Sequence, residues 1–208
     1  MTTFNEFLQA TEAIHKHLCP RQVLGVRMGI LAGTLFSLQL PQEEKRLLTI
    51  SETDGCFVDG ISVVTNCTVG HRTLRIEDYG KIAATFVDTT SNKAFRLIPR
   101  QGIRVMATQY APPGIGKWEQ YLIGYQHMPD DELLAVQEVE LTCSLKDIMS
   151  RPGVRTTCTR CGEEIINERE VTENGFSLCK PCMFGGYYRV SNSETEVEQD
   201  DLHILQHS

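Results

Sequence analysis

Two groups of residues in this chain carry donor atoms at spacings that suit metal chemistry. Cys158-x2-Cys161 and Cys179-x2-Cys182 are two thiol pairs separated by seventeen residues. Four thiolates from two short turns close a tetrahedral shell, so this spacing predicts a structural zinc, or iron in its place, in a zinc-ribbon or treble-clef module. The second group is His15-Lys16-His17-Leu18-Cys19-Pro20. Proline is favoured at the first helical position, where its missing N–H costs nothing, so Pro20 predicts a helix start with Cys19 as its N-cap. A thiolate there faces the positive end of the helix dipole, which is expected to lower its pKa and make it a better ligand or nucleophile. Without a partner, the same stretch also reads as a small buried cysteine beside two turn histidines.

The elements that must present these donors follow from apolar periodicity. Thr3 and Glu6 form a capping box, and Phe4, Phe7, Leu8, Thr11, Ile14 and Leu18 fall on one helical face, so the first helix delivers His15 and His17 at its end. The helix from Pro20 to about Gln39 carries Gly25, Gly29 and Gly33 at four-residue spacing. Glycine in a helix costs about 1 kcal/mol against alanine, so such a stripe implies that another backbone crosses it closely, from this chain or a second subunit. Arg46–Ser51 reads as a strand, and Phe57, Val58, Ile61 and Val64 as a helix with Cys56 at its start and Cys67 just past its end. Leu74–Ile76 and Ile82–Val87 read as a hairpin-like pair, with Lys93–Ile98 and Gly102–Thr108 as further strands. Lys117–Tyr125 fits helix or strand, Pro129–Glu132 opens a short helix, and Val136–Cys143 is extended.

An α+β domain over residues 1–143 is the consistent description, a mixed helix and sheet core followed by a connector at 144–157. The four-cysteine module then covers 158–190, with Asn174-Gly175 as a hairpin turn and Ile165, Val171, Phe176 and Leu178 as its small core. Residues 191–208 hold five acids and no Lys or Arg, an expected flexible tail in which His203 and His207 are solvated.

Composition narrows the function. The 208 residues carry a formal charge of -7, which argues against coating nucleic acid or anionic lipid. Residues 151–190 hold six Lys or Arg and five Asp or Glu, and a zinc tetrathiolate takes that segment to about minus one, so the module is expected to be structural or to contact protein. Met1–Ala10 lacks the basic start and apolar run of a secretory signal. Val23–Leu40 is apolar but carries Arg27, Ser37 and Gln39 and ends at Pro41, a buried helix rather than a membrane span. A cytoplasmic location follows as an expectation, and with it eight cysteines used as ligands or reactive thiols rather than disulfides. The chain has no P-loop, dinucleotide fingerprint or Gly-x-Ser-x-Gly elbow.

His15-Lys16-His17-Leu18-Cys19-Pro20 resembles the His-x-His-x-Cys-Pro signature of the E-subunit family of formylmethanofuran dehydrogenase. Gly25 and Gly29, Asp54-Gly55-Cys56-Phe57-Val58-Asp59, Asn66-Cys67-Thr68 and Asp78-Tyr79-Gly80-Lys81 are similar to its successive motifs, and part of the family carries a C-terminal four-cysteine zinc module. Lys16 and Arg21 stand where the family often has glycine, as does Asn66 before Cys67, which alters the turns while leaving the donors intact. The resemblance implies a metal-binding α+β domain, commonly a homodimer, with a core site built from His17, Cys19 and Cys56, and with His15 and Cys67 next.

Such an imidazole and thiolate set suits zinc, nickel or iron, and an open position on the metal would permit catalysis. Cys19 and Cys56 would then be catalytic thiolates, with Asp59 or Asp54 as acceptor or acid-base group, although both aspartates also suit helix capping. His71 and His127 are expected at the surface, and Tyr79 in the core or a turn. The expected function is an enzyme or enzyme subunit in anaerobic one-carbon or redox metabolism. The alternatives are a metal carrier or sensor that docks a protein partner through its zinc module, and a zinc-finger nucleic-acid regulator.

Overall fold

A computed structural model describes residues 2–189, with the His15 side chain outside the described part. The expected acidic tail with His203 and His207 lies outside the described residues. The chain divides into two compact units, Met1–Met149 and Ser150–Ser208.

The first unit begins as the capping box dictates. Helix α1 (Phe4–His15) starts at Thr3, whose hydroxyl accepts the Glu6 N–H at 3.3 Å while the Glu6 carboxylate accepts the Thr3 N–H at 2.6 Å. Helix α2 (Pro20–Phe36) starts at Cys19, as Pro20 predicts, and stops at Ser37 in the left-handed conformation. Strand β1 (Leu47–Ser51) leads through a four-residue loop into helix α3 (Cys56–Thr65), which Asn66 ends, also left-handed. Strands β2 (Leu74–Ile76), β3 (Ala84–Asp88), β4 (Ala94–Pro99) and β5 (Leu134–Val139) complete one sheet in the order β2-β1-β3-β4-β5. Between β4 and β5 lie the helices α4 (Ile103–Ala107), α5 (Lys117–His127) and α6 (Asp130–Leu133).

The glycine stripe finds its partner in α3. A methyl group on Gly25 would stand 2.2 Å from the Phe57 carbonyl oxygen, and one on Gly60 would stand 2.3 Å from that of Gln22. The two backbones therefore touch directly, in a reciprocal Gly25/Gly60 crossing that no larger residue permits. Gly29 meets Val64 of the same helix, while Gly33 faces Leu40. Val23, Val26, Met28, Phe57, Ile61 and Val64 around the crossing are fully buried and join Leu47, Phe86 and Leu97 of the sheet in one core. Strand alternation sends Leu48, Val87 and Ala94 to the opposite face, where helix α7 (Leu145–Met149) covers them.

Three expectations change. Gly102–Thr108 forms a helix, because Ile103 and Ala107 are buried four residues apart and Gly124 of α5 lets the Ala107 backbone approach. Leu74–Ile76 and the following strand do not form a hairpin: β2 pairs parallel with β1, and β3 pairs antiparallel with its other edge. The reason is the loop between them, which crosses the end of β1 by donating Glu77 N–H to Ser51 O and the Tyr79 and Lys81 N–H groups to Glu52 O. Much of the expected 144–157 connector is ordered, as α7 in the first unit and as strand β6 (Arg155–Thr157) in the second. Lys117–His127, readable either way from sequence, is helical.

Among the described residues no helix is long and apolar enough to cross a membrane. Arg27 of α2 donates to Tyr125 O and Met128 O at the end of α5 and to the Asp130 carboxylate at 2.7–3.0 Å.

The second unit pairs β6 with β7 (Glu164–Ile166) and β8 (Val171–Glu173) with β9 (Phe176–Leu178), followed by helix α8 (Lys180–Phe184). Asn174 and Gly175 both have positive φ, 51° and 82°, as the expected Asn-Gly turn requires.

The crossing yields a stability test. Gly25→Ala and Gly60→Ala each gain about 1 kcal/mol of helix propensity yet are expected to lose roughly 2 kcal/mol or more net, because main chain must move apart. Gly70→Ala, which meets open space, should shift stability by less than about 0.5 kcal/mol. Urea denaturation of the three variants checks this.

Candidate functional site

The Gly25/Gly60 crossing lies within two turns of the start of both helices, so it brings their N-termini together. Cys19 caps α2 and Cys56 is the first residue of α3, and both are half-buried. Cys56 stands near enough to Cys19 for its charge to raise the Cys19 pKa. Gln22, fully buried, fixes the N-cap by accepting the Cys19 N–H at 2.7 Å on Oε1 and reaching Thr11 O of α1 with Nε2 at 3.4 Å.

The expected lowering of the Cys19 pKa is reversed by the fold. Burial pushes the thiol up, and although the Gln22 and Arg21 N–H groups at the helix start pull it down, the neighbouring Cys56 adds to the rise. Two half-buried thiols close to one another resist carrying two negative charges. A bound cation would reverse that balance, which is the chemistry of a dithiolate metal site.

The other sequence candidates separate. His17 is exposed on the link between α1 and α2, and the His15 side chain lies outside the described part. Asp59 stands in the first turn of α3, half-buried, and Asp54 is exposed in the loop before it. Cys67 does not join Cys19 and Cys56. It lies past the far end of α3, fully buried, where its Sγ contacts Leu47 O at 3.2 Å and Gln42 Nε2 at 3.3 Å. A ten-residue helix spans about 15 Å, so its two ends cannot share one ion. His71 and His127 are exposed, and Tyr79 sits in the loop over β1, 64% exposed.

Sequence reasoning missed the two residues that hold this loop, Glu52 and Arg96. The Glu52 carboxylate binds the Arg96 guanidinium at 2.5 and 2.8 Å, while its carbonyl accepts the Tyr79 and Lys81 N–H groups four residues before Cys56. Nothing in their local pattern signals a pairing between positions so distant in sequence.

In the second unit, Cys158, Cys161, Cys179 and Cys182 place their sulfur atoms within 4.8 Å of one another, the one group of three or more His, Cys, Asp or Glu donors that converges among the described residues. Cys161 Sγ and Cys179 Sγ are 3.8 Å apart, and a tetrahedron with metal–sulfur bonds of about 2.3 Å has edges of about 3.8 Å. The quartet can hold a metal ion. The first pair lies in the turn between β6 and β7, and the second at the start of α8, which is the treble-clef alternative. N–H groups of Cys161 and Cys179 lower Cys158 to about 6, whereas the neighbouring thiols, Cys179 foremost, push Cys182 up to about 12. One thiol ionises readily and another is held protonated by its neighbours, a conflict that a dication removes. Among the described residues the unit's own core is Cys158, Ile165 and Leu178, and Phe176, expected inside, is exposed.

A family model described as FmdE, molybdenum formylmethanofuran dehydrogenase operon, matches residues 14–135. The chain belongs to the FmdE family. The matched residues include His15, His17, Cys19, Cys56 and Cys67 and end before the cysteine quartet. A probable S-adenosyl-L-methionine-binding protein of Archaeoglobus fulgidus is 36% identical over 204 residues, which cover 88% of this chain and 53% of that protein. The chain thus spans about half the length of that curated relative. A tungsten formylmethanofuran dehydrogenase FmdE-like protein from Syntrophus aciditrophicus superposes with a TM-score of 0.56 at 20% identity, covering 89% of this chain and 95% of that one. That likeness shows that the two share a fold.

Glu52 gives the site a pH signature. Hydrogen bonding to Arg96 holds its carboxyl below the usual range, so its stabilising contribution is complete above about pH 4.3, the unfolded value, and is lost as pH falls through the lower folded value. Glu52→Gln is therefore expected to lower the urea midpoint at pH 7, by an amount that shrinks as pH falls through the acid range, measured by denaturation at a series of pH values.

Proposed function

We propose that this FmdE-family protein is a metal-thiolate enzyme component of one-carbon or redox metabolism, with a structural zinc in the cysteine quartet and a second metal, zinc, nickel or iron, in the core. The observation that carries this reading is the Gly25/Gly60 contact between two helices that start at Cys19 and Cys56. The donor set fits a thiophilic cation: two neighbouring thiols, N–H groups directed at Cys19, and His17 two residues away in sequence. His17, and His15 before it, would supply imidazole donors to the same ion. When bound, the metal would polarise a carbonyl or formyl oxygen of a small substrate. Cys19 and Cys56 would hold it, and the Asp59 carboxylate in the first turn of α3 would take up or return a proton. Gln22 keeps Cys19 at the start of its helix, and the Glu52 and Arg96 pair keeps the preceding loop of Cys56 fixed to the sheet.

The small core of the second unit supports a structural role for its zinc, since a fold this size needs the metal for stability. Exposed Phe176, Phe184 and Tyr187 on that unit support a protein partner, and exposed Val105 and Trp118 on the first support a homodimer. The S-adenosylmethionine binding named for the Archaeoglobus relative does not enter this reading, because the chain spans about half of that protein.

Metal analysis tests the proposal. The Cys19→Ala, Cys56→Ala double variant is expected to lose the core metal, to keep the quartet metal, and to lose any turnover of formyl or carbonyl substrates. Cys158→Ser is expected to lose the quartet metal alone. Unchanged metal content in the double variant would sink the core site. Loss of metal with no turnover in the native protein on any such substrate would turn the reading to a metal carrier.

A further inference from the structure

The sheet of the first unit is closed very differently on its two faces. On one, Leu47, Phe86 and Leu97 join the large core of α2 and α3. On the other, Leu48, Val87 and Ala94 are covered by α7, a helix of five residues in which none is fully buried. Leu145, Ile148 and Met149 supply its apolar side. At its start this cover is undercut, because a cleft of about 650 Å³ opens between Leu141, Cys143 and Leu145 on one side and Val87, Lys93 and Ala94 on the other. At its end it is gripped. Arg72, just before β2, donates from Nη2 to the Met149 carbonyl at 2.5 Å, and Arg75 of β2 donates from Nη2 to the Ile148 carbonyl at 3.1 Å. These are the last two carbonyls of the helix, which no N–H of its own can reach and which favour a positive partner.

We propose that α7 is a strap that leaves the sheet and docks again as one piece while the rest of the first unit stays folded, with Arg72 and Arg75 as its clasp. A helix of five residues does not hold its shape alone in water, so α7 is helical only while docked. Undocking gives up a few half-covered side chains and the arginine contacts, far less than the α2 and α3 core contains, and it therefore precedes global unfolding. It uncovers Leu48, Val87 and Ala94, an apolar patch that draws the strap back. It also hands the residues of α7 to the link into the second unit, since Met149 ends the first unit and Ser150 begins the second. Neither cysteine site takes part, so the strap and the metal reading stand or fall separately.

Hydrogen exchange of the full chain, read by mass spectrometry at a series of urea concentrations below the unfolding transition, tests this. In the native protein the amides of Asp147, Ile148 and Met149 are expected to be protected but to exchange through an opening that barely responds to urea. Those of β1 and β3 are expected to respond steeply, because they exchange only on global unfolding. The clasp is tested by the double variant Arg72→Asn, Arg75→Thr. Asparagine suits the left-handed conformation that Arg72 holds at φ 64°, and threonine suits a strand, so β2 keeps its backbone. Exchange at 147–149 is expected to rise by about tenfold or more, with β1 and β3 unchanged. Native amides at 147–149 that are unprotected, or that share the steep urea response of the sheet, overturn the strap whether or not the variant folds. Unchanged exchange there in the variant, or an equal rise in β1 and β3, overturns the clasp.

Discussion

The close contact between the backbones of α2 and α3 is the constraint on which the first unit turns. Two glycines set it, each resting on a carbonyl oxygen of the facing helix at a distance no side chain tolerates. A crossing this tight near the start of both helices fixes where their first residues fall, and those residues are Cys19 and Cys56. Loop residues could present two thiols as well, but with far less control of their separation. Helix α2 also sets the electrical environment, since its first N–H groups partly offset the cost of burying the Cys19 thiol. Packing and chemistry therefore have a common origin at Gly25 and Gly60.

The two cysteine sites differ in how they are built. In the core, a large apolar cluster of Val23, Val26, Phe57 and Ile61 exists without any ion, and the thiols sit at its margin. In the second unit the thiols are much of the interior: Cys158 is one of three buried side chains among the described residues there, and Cys179 and Cys182 pack against them. A cation in the first kind of site would add to a fold that already stands, whereas in the second it would contribute to the folding free energy itself. The split between Cys158, at about 6, and Cys182, at about 12, comes from backbone N–H groups directed at the first sulfur and neighbouring thiols crowding the second.

Local signals in the sequence were faithful wherever the physics is local. The Thr3/Glu6 capping box, Pro20, the Asn174-Gly175 turn and the x2 spacing of the cysteines each state a backbone requirement within a few residues. The glycine stripe announced a close neighbour without naming it. Features that depend on long-range pairing were out of reach: the parallel seating of β2, the helical state of residues 103–107, and the Glu52 and Arg96 anchor. The helix rule for Cys19 named a real contribution and left out a larger one, burial beside a second thiol, which only the fold supplies. Cys67 lies near the end of the helix that begins at Cys56, and proximity along the chain said nothing about the distance that α3 puts between them.

The interior position of Cys67 also sorts the sulfur of this chain into kinds. Its sulfur donates to the Leu47 carbonyl, takes a contact from Gln42 and lies near the hydroxyls of Thr49, Thr65 and Thr73. It behaves as a small polar brick in the wall behind β1, shut off from water by a 0% exposed surface. A reagent that counts thiols on the intact molecule would pass over it, and only unfolding would bring the tally into agreement with the sequence.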